Sequence, residues 1–260
     1  MNKVVFITGA SSGIGKSTAE KFAKMGHIVY GMARREFSLE GVHCLQGDVT
    51  CVQDIQKAYD TILAQQGRVD VVVNNAGMGI SGPIEYAKEE AIRKQFEVNF
   101  FGVVNVNKIF LPAIKKSKGH IISVSSVMAF IPLHFQAFYS ATKAALDNYA
   151  IALRSEVKKF GVKVCNVQPG DIQTGFTDAR EKNLSGNKEY EKEEQLSTKK
   201  MEKSERNGMP PSRIANKIYK LSLKNNPPLT CTVGFVYKLI KLLVKILPQR
   251  FVQFLADKLF

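Results

Sequence analysis

The sequence predicts an α/β fold, in which a parallel sheet of about seven strands is covered by helices on both faces. Strand-like and helix-like segments alternate along the chain to beyond residue 165 with no linker between them, which is typical of repeated βα units. Residues 71–73 are three consecutive valines, so both sides of that strand are apolar, as a sheet covered on both faces requires. The two observations together indicate a doubly wound sheet.

Seven apolar runs are the strand candidates, and they lie at residues 4–7, 28–32, 42–46, 69–74, 119–125, 163–168 and 229–233. Helices are predicted between them, including residues 16–25, a long helix over residues 89–115 and another over residues 137–160. A chain of 260 residues with 45% hydrophobic residues has enough apolar material for one large core. We expect a single domain over residues 1–234, followed by an amphipathic helical extension over residues 235–260.

The amino-acid composition argues against some classes of function. A net charge of +14 suits nucleic-acid binding, but the basic residues are dispersed and no nucleic-acid motif is present, so nucleic acid is not expected as a partner. A positive field also attracts a phosphate-rich dinucleotide. The four cysteines have no C-x-x-C spacing, which predicts buried, reduced thiols and no metal site. The first strand begins at residue 3, leaving no room for a signal peptide, and a cytoplasmic protein is expected.

Residues 3–15 combine an apolar strand, a glycine-rich turn and the start of a helix. Gly9, Gly13 and Gly15 allow the backbone to turn sharply and come close to a ligand, and the helix N-terminus offers free N–H groups to a pyrophosphate. The spacing differs from the G-x-G-x-x-G fingerprint. It also differs from the phosphate-binding loop of nucleoside triphosphatases, because five residues instead of four separate Gly9 from Gly15.

Tyr139 and Lys143 lie four residues apart in a predicted helix, and therefore on one face about one turn apart. A tyrosine ordinarily keeps its proton up to about pH 10. A fixed ammonium beside it favours the phenolate, so we expect Lys143 to lower the pKa of Tyr139 toward the working range of a general base. Taken alone, the spacing is common, and its ordinary interpretation is a phenol beside a solvated lysine.

Four motifs follow the carboxyl ends of predicted strands, where a parallel sheet has its ligand crevice. The glycine-rich turn follows the first strand, residues 75–77 follow the fourth, Ser126 follows the fifth and residues 169–170 follow the sixth. Because these strand ends share one edge of the sheet, we expect the motifs to form a single site.

The order and spacing of these motifs resemble those of short-chain dehydrogenases/reductases, in their compact single-domain branch. The resemblance covers roughly residues 1–175 and continues loosely to about residue 235. It rests on Thr8-Gly9-x-x-x-Gly13-Ile14-Gly15, Asn74-Asn75-Ala76-Gly77, Asn99, Ser126, Tyr139-x-x-x-Lys143 and Pro169-Gly170. It implies a Rossmann-type fold and hydride transfer between a nicotinamide and an alcohol or carbonyl carbon.

The resemblance also implies roles for individual residues. Tyr139 would be the general acid/base, Lys143 would lower its pKa and hold the nicotinamide ribose, and Ser126 would orient the substrate oxygen. Asn99 would position a water for the proton relay of the lysine. The expected cofactor contacts are Gly9, Ser11, Ser12, Gly13, Ile14, Gly15, Arg34, Arg35, Asp48, Val49, Asn75, Ala76, Gly77, Tyr139, Lys143, Pro169, Gly170, Ile172 and Thr174. The two long predicted helices resemble those of the family's subunit interface, so a homodimer or homotetramer is expected.

The residues after the second predicted strand bear on the choice of cofactor. Proteins that select the unphosphorylated dinucleotide place an acid there to hold the ribose 2′-hydroxyl. Here Ala33 occupies that position, and Arg34 and Arg35 follow it. Guanidinium groups can bind a 2′-phosphate in a bidentate manner, whereas a carboxylate would repel it. NADP is therefore the expected cofactor, with NADPH preferred over NADH.

Two segments depart from the strand–helix alternation. Residues 177–208 are crowded with Lys, Glu, Asn, Ser and Gly, and are interpreted as a solvated, partly disordered excursion or as a substrate lid near residues 177–210. The tail is almost wholly apolar over residues 235–247 except for Lys238, Lys241 and Lys245, which share a helical stripe. It is interpreted either as a peripheral membrane contact on anionic lipid or as a segment packed on protein.

Three functions are compatible with the sequence. The first is an NADP(H)-dependent oxidoreductase that interconverts an alcohol and a carbonyl on an apolar small molecule, such as a steroid, retinoid or fatty-acyl compound. The second is a catalytically silent dinucleotide sensor or scaffold on the same fold. The third is a membrane-surface protein defined by its tail. The presence of all four catalytic candidates favours the enzyme, because a sensor does not need them.

Overall fold

The computed structural model describes residues 2–182, 188–248 and 250–254. Its strands are β1 (Val4–Thr8), β2 (Ile28–Ala33), β3 (Val42–Gln46), β4 (Val71–Asn74), β5 (Ile80–Ser81), β6 (His120–Val124), β7 (Lys163–Pro169), β8 (Glu181–Lys182) and β9 (Thr230–Val233). Within the described residues, seven of them form one parallel sheet in the order β3-β2-β1-β4-β6-β7-β9, which confirms the predicted fold class. The strands predicted at residues 69–74 and 119–125 are shorter than expected.

Helices connect these strands and cover both faces of the sheet. They are α1 (Gly13–Lys24), α2 (Val52–Gln66), α3 (Glu89–Phe96), α4 (Gly102–Ser117), α5 (Ala137–Val157), α6 (Phe176–Ala179), α7 (Lys188–Arg206), α8 (Pro211–Ser222) and α9 (Phe235–Ile246). The predicted helix over residues 137–160 corresponds to α5 and the 3-10 turn Lys158–Phe160 that follows it.

The hydrophobic core lies in two layers, one on each face of the sheet. Side chains alternate along β1, so Phe6 belongs to one layer and Ile7 to the other. In the first layer the Phe6 ring stacks on Phe110 of α4, with centroids 4.3 Å apart. In the second layer Ile7 shares a cluster with Phe22 of α1 and Ile218 of α8. Burial on both faces fixes the strands, and so fixes where the loops after their carboxyl ends begin.

The long helix predicted over residues 89–115 is interrupted, which corrects that prediction. A π-helical turn, Glu97–Phe101, separates α3 from α4. Turns of this kind insert one extra residue into the helical ladder and often occur at functional sites. Here the turn contains the buried Asn99.

Residues 176–206 form ordered secondary structure where they are described, so the disorder interpretation of this segment is wrong for α6, β8 and α7. β8 pairs in parallel with β5, forming a second, two-stranded sheet beside the main one. α7 contains no long apolar stripe, yet it is held by a buried ion pair between Glu205 and Arg180. Residues 183–187, also part of the predicted lid, lie outside the described residues.

The tail folds as α9, with one face on the domain and one face exposed. Tyr237 and Lys241 face the domain, and the Lys241 ammonium donates to Gln168 Oε1 (2.6 Å) and Thr230 Oγ1 (2.7 Å). The membrane interpretation, in which the lysine stripe meets lipid headgroups, is therefore wrong for Lys241, because Gln168 and Thr230 hold its ammonium against the domain. Residues 255–260 of the predicted extension lie outside the described residues. In the part of the chain that is described, no helix has the length and apolarity needed to cross a bilayer.

Candidate active site

The glycine-rich turn after β1 leaves no room for side chains at its glycine positions. Gly9 and Gly13 have φ values of +66° and +53°, a region that disfavours any residue with a Cβ. A Cβ on Gly15 would lie 2.2 Å from the Gly9 carbonyl oxygen, and one on Gly9 would lie 2.9 Å from Ala76 Cα. Ser12 is the N-cap residue of α1, and its hydroxyl makes no capping hydrogen bond. The turn therefore brings bare backbone and the N-terminus of α1 to the edge of the sheet.

Thr8, the last residue of β1, ties this turn to the loop after β4. Its hydroxyl accepts hydrogen bonds from the backbone N–H groups of Asn75 and Ala76, both at 3.0 Å. In return, the Asn75 side-chain amide donates to the carbonyl oxygens of Thr8 (2.9 Å) and Gly9 (3.1 Å). The two loops are thus locked together, as expected for neighbouring strand ends. Thr8 itself is a positioning residue that the sequence motif contains but that was not singled out as a site residue.

The catalytic candidates meet where β6 ends and α5 begins. Ser126 follows β6, and its hydroxyl accepts from the Met128 backbone N–H at 3.1 Å and lies close enough to the Tyr139 phenol to act on its pKa. Tyr139 lies in the first turn of α5, and Lys143 follows one turn later. The buried Lys143 ammonium donates to the Val124 carbonyl oxygen at 2.9 Å and lies 5.6 Å from the centre of the Tyr139 ring.

The pKa of Tyr139 moves in the opposite direction to the one expected. Loss of solvent around the phenol raises its pKa to about 12, and this outweighs the lowering by the Ser126 hydrogen bond and the Arg180 charge. Burial also lowers the pKa of Lys143 to about 8. The lysine does not deliver the expected lowering, because its ammonium is directed to the Val124 carbonyl instead of the phenol oxygen.

Asn99 approaches the same site from the π-helical turn. Its Oδ1 accepts from the Met78 backbone N–H at 2.8 Å, and its Nδ2 donates to the Met78 carbonyl at 2.9 Å and to Thr142 Oγ1 at 3.2 Å. A Cβ on Gly77 would lie 3.4 Å from Asn99 Oδ1 and 3.9 Å from Lys143 Nζ. The structure therefore brings Asn99, Gly77 and Lys143 together, and the side-chain amide orders the loop after β4.

Further predicted contacts surround the glycine-rich turn. Ser11 and Ile14 are partly buried within it, and Ile14 packs on the second core layer. Thr174 lies across from Gly13, where a Cβ would be 3.3 Å from the threonine side chain. Ile172 is buried and forms an isolated parallel bridge with Met209. These residues bring the segment after β7 against the turn after β1.

Pro169 is the last residue of β7, and Gly170, which follows it, lies directly under a side chain from the tail. A Cβ on Gly170 would lie 1.9 Å from Tyr237 Cε2, so only glycine fits there. The Tyr237 hydroxyl donates to Asp171 Oδ2 at 2.5 Å. Sequence reasoning missed Tyr237 as a residue of this region, because no local pattern shows that α9 folds back over the end of β7.

Arg34 and Arg35 lie at the carboxyl end of β2, next to the end of β3. Both side chains are exposed, and in the described structure neither takes part in an ion pair. After β3, the Asp48 carboxylate accepts from the backbone N–H and the hydroxyl of Thr50, both at 2.9 Å, while Val49 is buried. The predicted adenosine-side residues thus share one end of the crevice, and the two guanidinium groups face solvent.

A cavity opens beside Ser126, between the loop after β6, the N-terminus of α5, α7 and α9. Its walls are Val127, Met128, Ile131, Leu133, His134, Gln136, Asp171, Ser197, Lys200, Met201, Ser204 and Tyr237. The wall combines apolar side chains from the loop after β6, such as Val127, Met128 and Ile131, with polar groups such as Asp171 and Ser204. This placement supports the lid interpretation of α7. Gln136 and Asp171 were not predicted from the sequence, since their spacing belongs to no motif.

Comparison with known proteins identifies the family. The profile of the family described as short chain dehydrogenase matches residues 3–185. The 3-ketodihydrosphingosine reductase of Bacteroides thetaiotaomicron is 45% identical over 236 residues, which cover 89% of this chain and 88% of that protein. A short-chain dehydrogenase from Streptomyces avermitilis has a TM-score of 0.84 at 30% identity, covering 94% of this chain and 93% of that one.

A third protein, an alcohol dehydrogenase from Thermococcus sibiricus solved with 5-hydroxy-NADP, has a TM-score of 0.73 at 25% identity and covers 91% of this chain and 98% of that one. The chain therefore belongs to the short-chain dehydrogenase/reductase family, and it is an oxidoreductase.

Proposed function

We propose that this protein is an NADPH-dependent reductase of a long-chain ketone, with a 3-ketodihydrosphingosine as the favoured substrate. The observation that carries the proposal is that Ser126 and Tyr139 meet beside a cavity whose apolar wall includes Val127, Met128 and Ile131. The pair supplies two donors for one carbonyl oxygen, and the wall suits an alkyl chain. The Bacteroides relative is named for such a ketone, and it matches most of the chain.

The residues fit a nicotinamide dinucleotide. The glycine turn excludes side chains where a pyrophosphate would approach, and the N-terminus of α1 supplies the positive end of a helix dipole. Lys143 would hold the nicotinamide ribose, while Asn75 to Gly77 and Pro169 to Thr174 would border the rest. When bound, the dinucleotide supplies or accepts hydride. In this proposal residues 1–234 act as one domain, and α9, the described helix of the extension over residues 235–260, packs on it through Tyr237 and Lys241.

The protein side chains orient the carbonyl and provide its proton. Ser126 donates to the substrate oxygen and holds it beside the Tyr139 hydroxyl. With a pKa near 12, the Tyr139 phenol is protonated at neutral pH, so it is prepared to give a proton to the oxygen as charge develops there. Asn99 keeps the loop after β4 in place for the proton path to Lys143. A protonated phenol is the form that the reduction of a carbonyl requires.

A substrate panel tests the proposed function. NADPH consumption is measured with a long-chain 3-keto sphingoid base, a β-ketoacyl thioester, a ketosteroid and retinal. We expect the 3-keto sphingoid base to have the largest kcat/KM. A larger kcat/KM for the ketosteroid or for retinal would contradict the long-chain ketone as substrate and indicate the class of the preferred compound instead. No turnover of any carbonyl compound, with NADPH binding intact, would favour the silent sensor or scaffold.

The two arginines after β2 predict a cofactor preference. We expect NADPH to bind about 10- to 100-fold more tightly than NADH, because hydrogen bonds from Arg34 and Arg35 to the 2′-phosphate are charge-assisted. Arg34→Ala and Arg35→Ala should each reduce this ratio, while NADH binding stays close to that of the unmodified protein. Calorimetric titration of both cofactors measures the ratio. Arg93→Ala is the matched control, because that exposed arginine pairs with Glu89 on α3. An unchanged ratio in both arginine variants contradicts the NADP assignment.

The outward face of α9 is a surface for anionic lipid in this proposal. It exposes Phe235 (80%), Val236 (62%) and Ile246 (70%), together with Leu239, Leu242 and Leu243. Lys238 and Lys245 are exposed on the same helix, and the net charge of +14 adds a long-range attraction to such a surface. Tyr237 on the inner face of α9 lines the cavity, so a lipid substrate taken up at the outer face of the helix would be close to the site.

Flotation with liposomes tests this attachment. The protein should co-float with vesicles of phosphatidylglycerol but not with phosphatidylcholine, and salt should weaken the binding because ionic screening removes the lysine contribution. Leu239→Gln with Leu242→Gln should abolish co-flotation while NADPH binding persists.

The expected homodimer or homotetramer stays a prediction that light scattering can check. If the double variant instead turns an oligomer into monomers, the face is a subunit contact and the lipid proposal is wrong.

A further inference from the structure

Asp171 is a carboxylate in the cavity wall at the meeting point of three elements. It follows Gly170 at the end of β7, and its side chain contacts Ser204 of α7 and Tyr237 of α9. Ser204 Oγ and the Tyr237 hydroxyl both donate to the same oxygen, Oδ2, each at 2.5 Å. The Asp171 backbone N–H in turn donates to the Tyr237 hydroxyl at 3.3 Å. The side chain is therefore held in one orientation, and neither hydrogen bond uses Oδ1.

Asp171 takes part in none of the ion pairs found among the residues that the structure describes. Among the neighbouring basic groups, Arg180 pairs with Glu205, and Lys241 donates to Gln168 and Thr230. Lys200 lines the same cavity but is exposed, and the described ion pairs do not include it. A partly buried carboxylate on the wall of a cavity is stabilised best by an opposite charge that enters the cavity with a ligand.

The position of Asp171 relative to the reacting oxygen indicates which chemical group a ligand would place there. β7 is the neighbour of β6, and the Ser125 backbone N–H donates to the Val167 carbonyl at 2.8 Å, which holds the two strand ends together. Ser126 follows β6, and the next two residues, Val127 and Met128, line the same cavity as Asp171. A carbonyl held by Ser126 would thus lie next to a cavity whose wall includes the apolar side chains of Val127 and Met128 and the Asp171 carboxylate.

We infer that Asp171 binds a cationic amine close to the carbonyl, and that the site selects long-chain amino ketones over neutral ketones of the same length. This inference rests on the proposed reductase function and adds the residue that determines its specificity. An ammonium would donate to Oδ1, while Ser204 and Tyr237 keep the carboxylate turned toward the cavity. The alkyl chain of the ketone would lie along Val127, Met128 and Ile131.

The experiment compares two substrates that differ in a single group. The first is a long-chain 2-amino-3-ketone, and the second is the same ketone with hydrogen in place of the amine. With the unmodified protein, the amino ketone should have a kcat/KM about 10- to 100-fold higher, mainly through a lower KM. In Asp171→Asn this ratio should fall to about one, since the amide keeps the shape but loses the charge. An unchanged ratio in Asp171→Asn overturns the inference.

Two further variants separate the effect of the Asp171 charge from the effect of loosening the contacts that α7 and α9 make with Asp171. Ser204→Ala and Tyr237→Phe each remove one hydrogen bond to Asp171 and retain the carboxylate, so both should keep a clear preference for the amino ketone. If they lose it as fully as Asp171→Asn does, the preference comes from packing of α7 and α9 and the inference is wrong. If the unmodified protein reduces both ketones equally well, the proposed reductase function is retained and the proposed role of Asp171 is wrong. If it reduces neither but reduces another carbonyl compound, the substrate proposal and the inference both fail.

Discussion

Replacing Tyr139 by phenylalanine should lower kcat by about a hundred- to ten-thousandfold while leaving NADPH affinity within a few-fold of its original value. The substitution removes only the phenol hydroxyl, and the ring can keep its contacts with Lys143 and Phe176. The phenol is protonated at neutral pH, so its loss removes the proton donor to the substrate oxygen. Binding of the cofactor does not depend on that proton.

Turnover and cofactor affinity are measured separately, by NADPH consumption and by titration. Tyr149→Phe is the matched control, since it removes the same atom from the same helix. Its hydroxyl accepts from Asn107 Nδ2 at 3.4 Å, away from Ser126. The control should retain its turnover. If Tyr139→Phe keeps kcat within about tenfold of the original, another group donates the proton and the assignment of Tyr139 is incorrect.

The parts of the site that sequence reasoning located are those set by strand ends. Parallel strands place their carboxyl ends along one edge, so the glycine turn, Ser126 and Pro169 had to be neighbours once the strands were assigned. Gly9 illustrates why the motif is informative, because its positive φ and its closeness to Ala76 leave only one residue type possible. At these positions the local sequence motif and the topology of the sheet predict the same arrangement of residues.

Other features depended on distant contacts and could not be read from local patterns. α7 lacks an apolar stripe, and its position is set by the Glu205–Arg180 pair across 25 residues of sequence. Lys241 turns inward because acceptors on β7 and β9 lie beneath it. The pKa of Tyr139 depends on how much solvent the surrounding elements exclude, which the spacing to Lys143 does not reveal.

The buried Arg180–Glu205 pair should hold α7 in place, so Glu205→Gln is expected to weaken the lid by about 3–5 kcal/mol. Glu205 accepts from Arg180 Nη2 at 2.5 Å and from Thr177 Oγ1 at 2.7 Å, and both charged side chains are almost fully buried. Within the described residues, Arg180 Nε and Nη1 have no hydrogen-bond partner, so the carboxylate is the main compensation for this guanidinium. Without the carboxylate charge, burying Arg180 becomes unfavourable and the contact opens.

Hydrogen exchange measures this opening, and we expect the amides of α6 and α7 to exchange at least a hundredfold faster in Glu205→Gln, with little change in β1 or β4. The matched control is the next residue along the chain. Arg206 pairs with Asp178 at 2.9 Å on the exposed side of the same helix, and Arg206→Gln should change exchange little, because solvent screens exposed ion pairs. Equal exchange in the two variants would show that the buried pair does not hold the lid. Arg180→Met combined with Glu205→Leu should restore slow exchange, since replacing both charges by apolar groups removes the unpaired charge that opens the contact in Glu205→Gln.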